Sequence, residues 1–131
     1  MPSESPLAAL HAAAEAVRQQ LQVNAFDAPA VQRLTDFIEA QRATIQPAER
    51  EGVVMALGCF LGQCLVDTYQ GEWAAGPDGS TGVGLAGKLF FNPFYLVSEQ
   101  LTKGREQSVA GFFAGIPARL ATTGQRKSWI K

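Results

Sequence analysis

The glycine content between residues 71 and 87 is the feature that most limits how this chain can fold. Six glycines, at positions 71, 76, 79, 82, 84 and 87, divide this part of the chain into segments that are too short for helices. Glycine destabilises a helix interior by roughly 1 kcal/mol relative to alanine, so short strands joined by turns are the better interpretation. The spacing predicts strands over 72–75, 83–85 and 88–91, with a turn at Pro77-Asp78-Gly79-Ser80.

Helices are predicted on both sides of the glycine-rich segment. The first begins at Pro6, and its apolar residues recur at alternating spacings of three and four: Leu7, Leu10, Ala14, Val17 and Leu21. A second amphipathic helix carries Val31 to Ile38, a third follows Pro47, a fourth is capped by Asn92 and ends at Gly104, and a fifth begins near Val109. The first two are predicted to pack antiparallel. The predicted fold class is therefore α+β, a helical bundle of about five helices with a small three-stranded antiparallel sheet.

Length and composition indicate one folded domain. The chain has 131 residues, of which 47% are hydrophobic and 18% charged, a composition too apolar for intrinsic disorder. We predict a single α+β domain over residues 1–121 and a flexible basic tail over 122–131, in which Arg126, Lys127 and Lys131 carry the charge.

Hydropathy and net charge indicate where the protein is located in the cell and which partners it can bind. The apolar run Gly52 to Val66 is shorter than the roughly 20 residues that a membrane span needs, and Glu51 and Asp67 flank it. No signal peptide is visible, so we expect a cytoplasmic protein that does not enter a membrane. The net charge of −1 provides no general attraction to nucleic acid, and none is expected as a partner.

The motifs that suggest nucleotide or metal binding lack the neighbouring residues and elements that such sites need. Residues Gly82 to Lys88 match Gly-x-Gly-x-x-Gly, yet Leu89 stands where a P-loop needs Ser or Thr, and Asn92-Pro93 follows too soon for a helix to begin at Gly87. A glycine-rich hairpin is the better interpretation. The chain has one histidine, and Cys59 and Cys64 point about 140° apart on one helix, so we expect two reduced, buried cysteines. No metal site and no cofactor are predicted.

Five residues are the candidate binding residues. Gln63 and Asp67 lie one helical turn apart and so share a face of the third helix. Trp73 and Tyr95 each combine an apolar body with a polar atom, and Asn92 precedes the helix that carries Tyr95. We expect Trp73, Asn92 and Tyr95 to lie close together where the hairpin meets the fourth helix. No catalytic residue is predicted.

Several short strings together resemble a bacterial domain family of unknown function. They are Leu57-Gly58-Cys59-Phe60-Leu61-Gly62-Gln63, then Gly71-Glu72-Trp73, Asn92-Pro93-Phe94 and a helix with Gly104, Ser108 and Phe112-Phe113. The resemblance covers roughly residues 53–117 and implies a fold rather than an activity. It also implies an acid where Gln63 stands, so this chain departs from the pattern there.

The sequence leaves three functions open. We expect a noncatalytic binding or protein-interaction module whose partner is an unidentified protein or small ligand, because the chain has ample apolar surface and few groups suited to chemistry. The alternative is a small acid/base enzyme, without metal or nucleotide cofactor, that uses Asp67 and Glu72. A third is a structural subunit that buries an apolar face in a homodimer.

Overall fold

The fold was analysed in a computed structural model, which describes residues 6–76, 79–87 and 89–121. In that part of the chain the elements are, in order, α1 (Pro6–Leu21), α2 (Ala28–Thr44), α3 (Pro47–Tyr69), β1 (Glu72–Ala75), β2 (Thr81–Leu85), β3 (Leu89–Phe91), α4 (Pro93–Lys103), a 3₁₀ helix (Gly104–Gln107) and α5 (Val109–Ala114). After a turn at Gly115, residues 116–121 are again helical. The predicted α+β bundle with a small sheet is confirmed. The predicted basic tail lies outside the described residues.

Side-chain caps place the helix starts where the sequence predicts them. Asp27 Oδ1 accepts a hydrogen bond from the Ala30 amide at 3.1 Å, and Asn92 Oδ1 accepts one from the Tyr95 amide at 3.0 Å. Each cap satisfies one of the amides that a helix leaves without an internal partner. At the other end, α4 stops before Gly104 as predicted, but with a φ of 83° and a ψ of −156° this glycine adopts an extended positive-φ conformation and not the left-handed helical one.

The sheet is an antiparallel meander in the order β1-β2-β3. Its register pairs Trp73 with Val83, and Val83 in turn with Phe91. Since directly paired residues point to the same face, these three side chains lie on one face of the sheet, from which Trp73 contacts α3 at Gly62 and Phe91 packs against Phe112 of α5. The glycine-rich string thus forms a hairpin, as predicted. The second strand begins two residues earlier than expected, at Thr81, and the described part of the third begins at Leu89.

Helix α3 is the centre of the molecule. Buried side chains of every other helix and of the sheet pack around it, among them Leu21, Leu34, Ile38, Val83, Leu85, Val97, Phe113 and Ile116. The predicted contact of α1 with α2 is present but small, and the main partner of α1 is α3. The physical reason is that α3 is apolar around most of its circumference and can accept neighbours on several sides.

By length and composition, α3 could also cross a membrane. It has 23 residues, and the mean hydropathy of its most apolar 18-residue window is 1.4. Half of that window is buried inside the described protein, and the core helix of a soluble protein meets the same criteria. The expectation that the protein stays out of the membrane therefore remains a prediction.

A buried glutamine joins α2, α4 and α5. Gln100 Nε2 donates to the carbonyl of Thr35 at 3.1 Å and to Glu39 at 2.8 Å, while its Oε1 accepts from the Val109 amide at 2.9 Å. The hydroxyl of Thr35 accepts from the Ala110 amide at 3.0 Å. Two of the first amides of α5 are thereby capped by side chains of other helices, so the position of α5 depends on this network.

We predict that Gln100→Leu lowers the free energy of unfolding by about 1–3 kcal/mol, because the buried Val109 amide would lose its acceptor. The measurement is urea unfolding followed by circular dichroism. Gln32→Leu, on the exposed face of α2, is the matched control and should change stability by about 0.5 kcal/mol or less. Equal losses in the two variants would contradict a special role for the Gln100 network.

Candidate functional site

Two aromatic rings rest directly on the backbone of α3. A Cβ added at Gly58 would overlap the Phe94 ring, and one added at Gly62 would overlap the Trp73 indole. The two ring centroids are 6.2 Å apart. The glycine pair therefore allows a close approach: Trp73 brings the sheet, and Phe94 brings α4, against α3.

The polar atoms of three predicted site residues bind one another. The Trp73 indole N–H donates to Gln63 Oε1 at 3.3 Å, and Gln63 Nε2 donates to Asp67 Oδ1 at 2.8 Å. Asp67 is exposed at the outer end of this chain of bonds. Gln63 and Asp67, predicted to share a face of α3, thus bind each other, and together they fix the orientation of the indole.

The other two predicted residues lie at the start of α4, where Asn92 is the N-cap and Tyr95 is the third helical residue. Asn92 accepts the capping bond, whereas the Tyr95 side chain is 59% exposed. The residue that meets Trp73 is Phe94, which lies between them in sequence. Asn92 and Tyr95 are thus joined by the capping bond and Trp73 is in contact with Phe94, while a single site formed by Trp73, Asn92 and Tyr95 stays a prediction.

An apolar groove of about 600 Å³ lies beside Phe94. Its walls come from α1, α3, the start of β2 and the start of α4: Ala9, Leu10, Ala13, Met55, Cys59, Ser80, Thr81, Asn92 and Phe94. Of the five predicted site residues, only Asn92 lines it. The others in the groove were missed because alanine, methionine and phenylalanine in such helices read as ordinary packing residues.

The sheet end of the apolar groove is polar. Thr81 is exposed and Asn92 is half-buried. The register of β2 and β3 pairs Val83 with Phe91, so Thr81 and Asn92 both lie just past the same end of that ladder. Within the part of the chain that the structure describes, the Thr81 hydroxyl and Asn92 Nδ2 make no hydrogen bond, which leaves both able to bind a ligand.

Cys59 is the one groove-lining side chain, among those described, that could acquire a charge near neutral pH. Its thiol is free, and burial raises its pKa. Cys64 is also free and buried; burial raises its pKa too, with smaller contributions from the carboxylates of Asp27 and Asp67. Both cysteines are therefore the neutral, buried thiols that the sequence predicts, and the described residues that line the groove carry no net charge.

A second, smaller cavity of about 250 Å³ lies near the start of α5. Among its lining residues, Glu99 pairs with Lys103 at 3.0 Å. The guanidinium of Arg119 lies 5.8 Å from the Phe91 ring centroid and 5.7 Å from that of Phe112. These charged groups form an ion pair and cation–π contacts within the protein, and these contacts do not indicate a ligand.

Neither a search for metal ligands nor comparison with known proteins assigns a function to the groove. Among the described residues, no group of three His, Cys, Asp or Glu side chains is placed to hold a metal ion. No protein family, curated protein or solved structure matches the chain. The resemblance to a bacterial family of unknown function accordingly stays a prediction.

We predict opposite effects of adding one methyl group at two glycines of α3. Gly62→Ala should lower stability by about 1–3 kcal/mol, because the new Cβ collides with the Trp73 indole. Gly52→Ala, where nothing lies within 4 Å, should raise stability by up to about 1 kcal/mol through helix propensity. Thermal unfolding of both variants provides the comparison, and a stabilising Gly62→Ala would show that the ring contact is loose.

Alkylation tests the state of the two thiols. In the folded protein at pH 8, both should react with iodoacetamide far more slowly than in urea, because the thiolate is the nucleophile and burial raises both pKa values. Cys59 should be the faster of the two because it borders the groove. Mass spectrometry after timed quenching measures both rates; rapid native labelling of Cys64 would contradict its burial.

Proposed function

We propose that this protein is a noncatalytic binding protein and that the apolar groove holds a small apolar ligand. The observation that carries the proposal is the groove itself. Its volume of about 600 Å³ falls in the range of roughly 300–1,000 Å³ typical of small-molecule sites. Such sites combine mostly apolar walls with a few polar groups that orient the ligand, as the groove does with Thr81 and Asn92 at one end.

The shape of the groove depends on small and adaptable side chains. Ala9 and Ala13, one turn apart on α1, leave room that larger residues would fill. Across from them Met55 is 54% exposed, and the flexible thioether of methionine adapts to ligands of different outline. A ligand that covered this side chain and Phe94 would gain roughly 25 cal/mol for each Å² of apolar surface removed from water.

The acid/base alternative has less support from the geometry. Asp67 and Glu72 are both exposed, and neither lines the groove. A general acid or base must come within hydrogen-bonding reach of the proton that it transfers, and the groove offers instead hydroxyl groups, an amide and a neutral thiol. Those groups can orient a ligand without reacting with it, which supports binding over catalysis.

The experiment is titration with N-phenyl-1-naphthylamine, an uncharged dye whose fluorescence rises in apolar surroundings. The native protein should bind it at a single site. Met55→Glu should weaken binding by about tenfold or more, because dye binding would then desolvate a carboxylate. The exposed position of Met55 means that the variant should fold normally.

Ala40→Glu is the matched control, because it also adds one carboxylate at an exposed helical position but lies on α2, away from the groove. Its dye affinity should equal that of the native protein. Absence of dye binding by the native protein, or equal affinities for the two glutamate variants, would show that the groove is not the binding site.

A further inference from the structure

The capping bond of α4 leaves the Nδ2 amino group of Asn92, with its two N–H donors, unused. Asn92 Oδ1 is occupied by the Tyr95 amide at 3.0 Å, which fixes the side-chain amide in one orientation. Its Nδ2 donates to no group within the described residues. Aspartate would cap the helix as well as asparagine does, so the cap alone does not require an amide here. Asparagine differs from aspartate here in having the two unused N–H donors.

A second donor lies beside it. The Thr81 hydroxyl lines the same end of the apolar groove, on the strand that neighbours the one leading into Asn92. A carbonyl oxygen has two lone pairs and accepts two hydrogen bonds, so one such oxygen can bind an amide N–H and a hydroxyl together. The pair of groups fits a carbonyl better than it fits a hydrocarbon end.

The described side chains that line the groove carry none of the charges that an ionic ligand would need. Among these described residues there is no Lys, Arg, Asp or Glu. A carboxylate or ammonium group placed there would lose hydration without gaining an ion pair, and the cost of that loss disfavours charged ligands. Charge complementarity therefore selects an uncharged molecule.

We infer that the apolar groove binds an uncharged ligand with a hydrocarbon chain and one carbonyl group, such as a primary amide or an ester, and that Asn92 and Thr81 bind the carbonyl oxygen. The chain then lies along Phe94, Met55 and the alanines of α1. This inference rests on the proposed function and deepens it by naming the ligand class.

The first test compares decanamide with decanoate as competitors of N-phenyl-1-naphthylamine at pH 8. The two molecules have the same chain, and only decanoate carries a charge. Decanamide should displace the dye at a concentration about tenfold or more below that needed for decanoate, because the carboxylate would be desolvated without a cationic partner. Equal potency of the two competitors would overturn the inference that the ligand is uncharged.

The second test removes each donor with little change in shape. Asn92→Asp keeps the helix cap and removes the N–H donors, whereas Thr81→Val removes the hydroxyl. Each should weaken decanamide binding about three- to tenfold more than it weakens dye binding, the range for one neutral hydrogen bond; this comparison separates the lost donor from the new carboxylate of Asn92→Asp, which affects both molecules. Asn24→Asp and Thr44→Val are matched controls at exposed positions away from the groove and should leave decanamide binding unchanged.

The outcomes separate the two proposals. If the native protein binds the dye but decanamide affinity is the same in Asn92→Asp, Thr81→Val and the native protein, the carbonyl site is wrong and the groove remains a binding site. If an amphipathic helical peptide displaces the dye and decanamide does not, the occupant is a protein segment and the ligand class is wrong. If the native protein does not bind the dye, the proposed function is wrong and this inference fails with it.

Discussion

The contact of two aromatic rings with bare helix backbone organises this molecule. Phe94 and Trp73 can reach the axis of α3 only because Gly58 and Gly62 lack side chains there. Each glycine weakens the helix by about 1 kcal/mol in propensity, and burial of a large ring offsets that loss. The contact sets how close α4 and the sheet come to α3. It therefore also sets the width of the space that remains beside α1.

The apolar groove is the uncovered continuation of that contact. Phe94 covers Gly58 with one part of its ring and lines the groove, next to Cys59. On the far side, α1 presents Ala9 and Ala13, whose short side chains do not cross the gap. The same packing that stabilises the core thus leaves an apolar recess that the described residues do not fill. The binding proposal follows from the position of that recess between tightly packed elements.

The local pattern of the sequence predicted the helices and strands well, but it did not reveal the apolar groove. Proline and Asp or Asn positions marked the starts of α2 and α4, and the glycine spacing indicated the hairpin, because these features depend on neighbours in sequence. The groove depends on which helix faces α1, which is decided by long-range packing. Trp73 and Gln63 were predicted to bind a ligand because each has a polar side-chain atom. The sequence could not show that these two side chains form a hydrogen bond with each other.

Asn92 was predicted both as the cap of the fourth helix and as a binding residue, but the sequence supports only the first of these roles directly. Its cap could be read from Asn92-Pro93, yet its unused donor becomes apparent only with the folded neighbours in place. Thr81 gave no signal at all, since an exposed threonine at the start of a strand is common. Ala9, Ala13 and Met55 line the groove through apolar surface alone, which no motif encodes.

Helix α5 has a different dependence on its surroundings. Six residues are too few to form a stable helix in water, so α5 takes its stability from the side chains that bind its ends. Gln100 and Thr35 hold its first amides, and the Tyr69 hydroxyl donates to the carbonyl of Phe113 at 2.9 Å near its other end. These three residues belong to α4, α2 and α3. The amide protons of Val109 and Ala110 should therefore exchange with solvent only when Gln100 and Thr35 release them, which couples the start of α5 to the separation of α4 and α2.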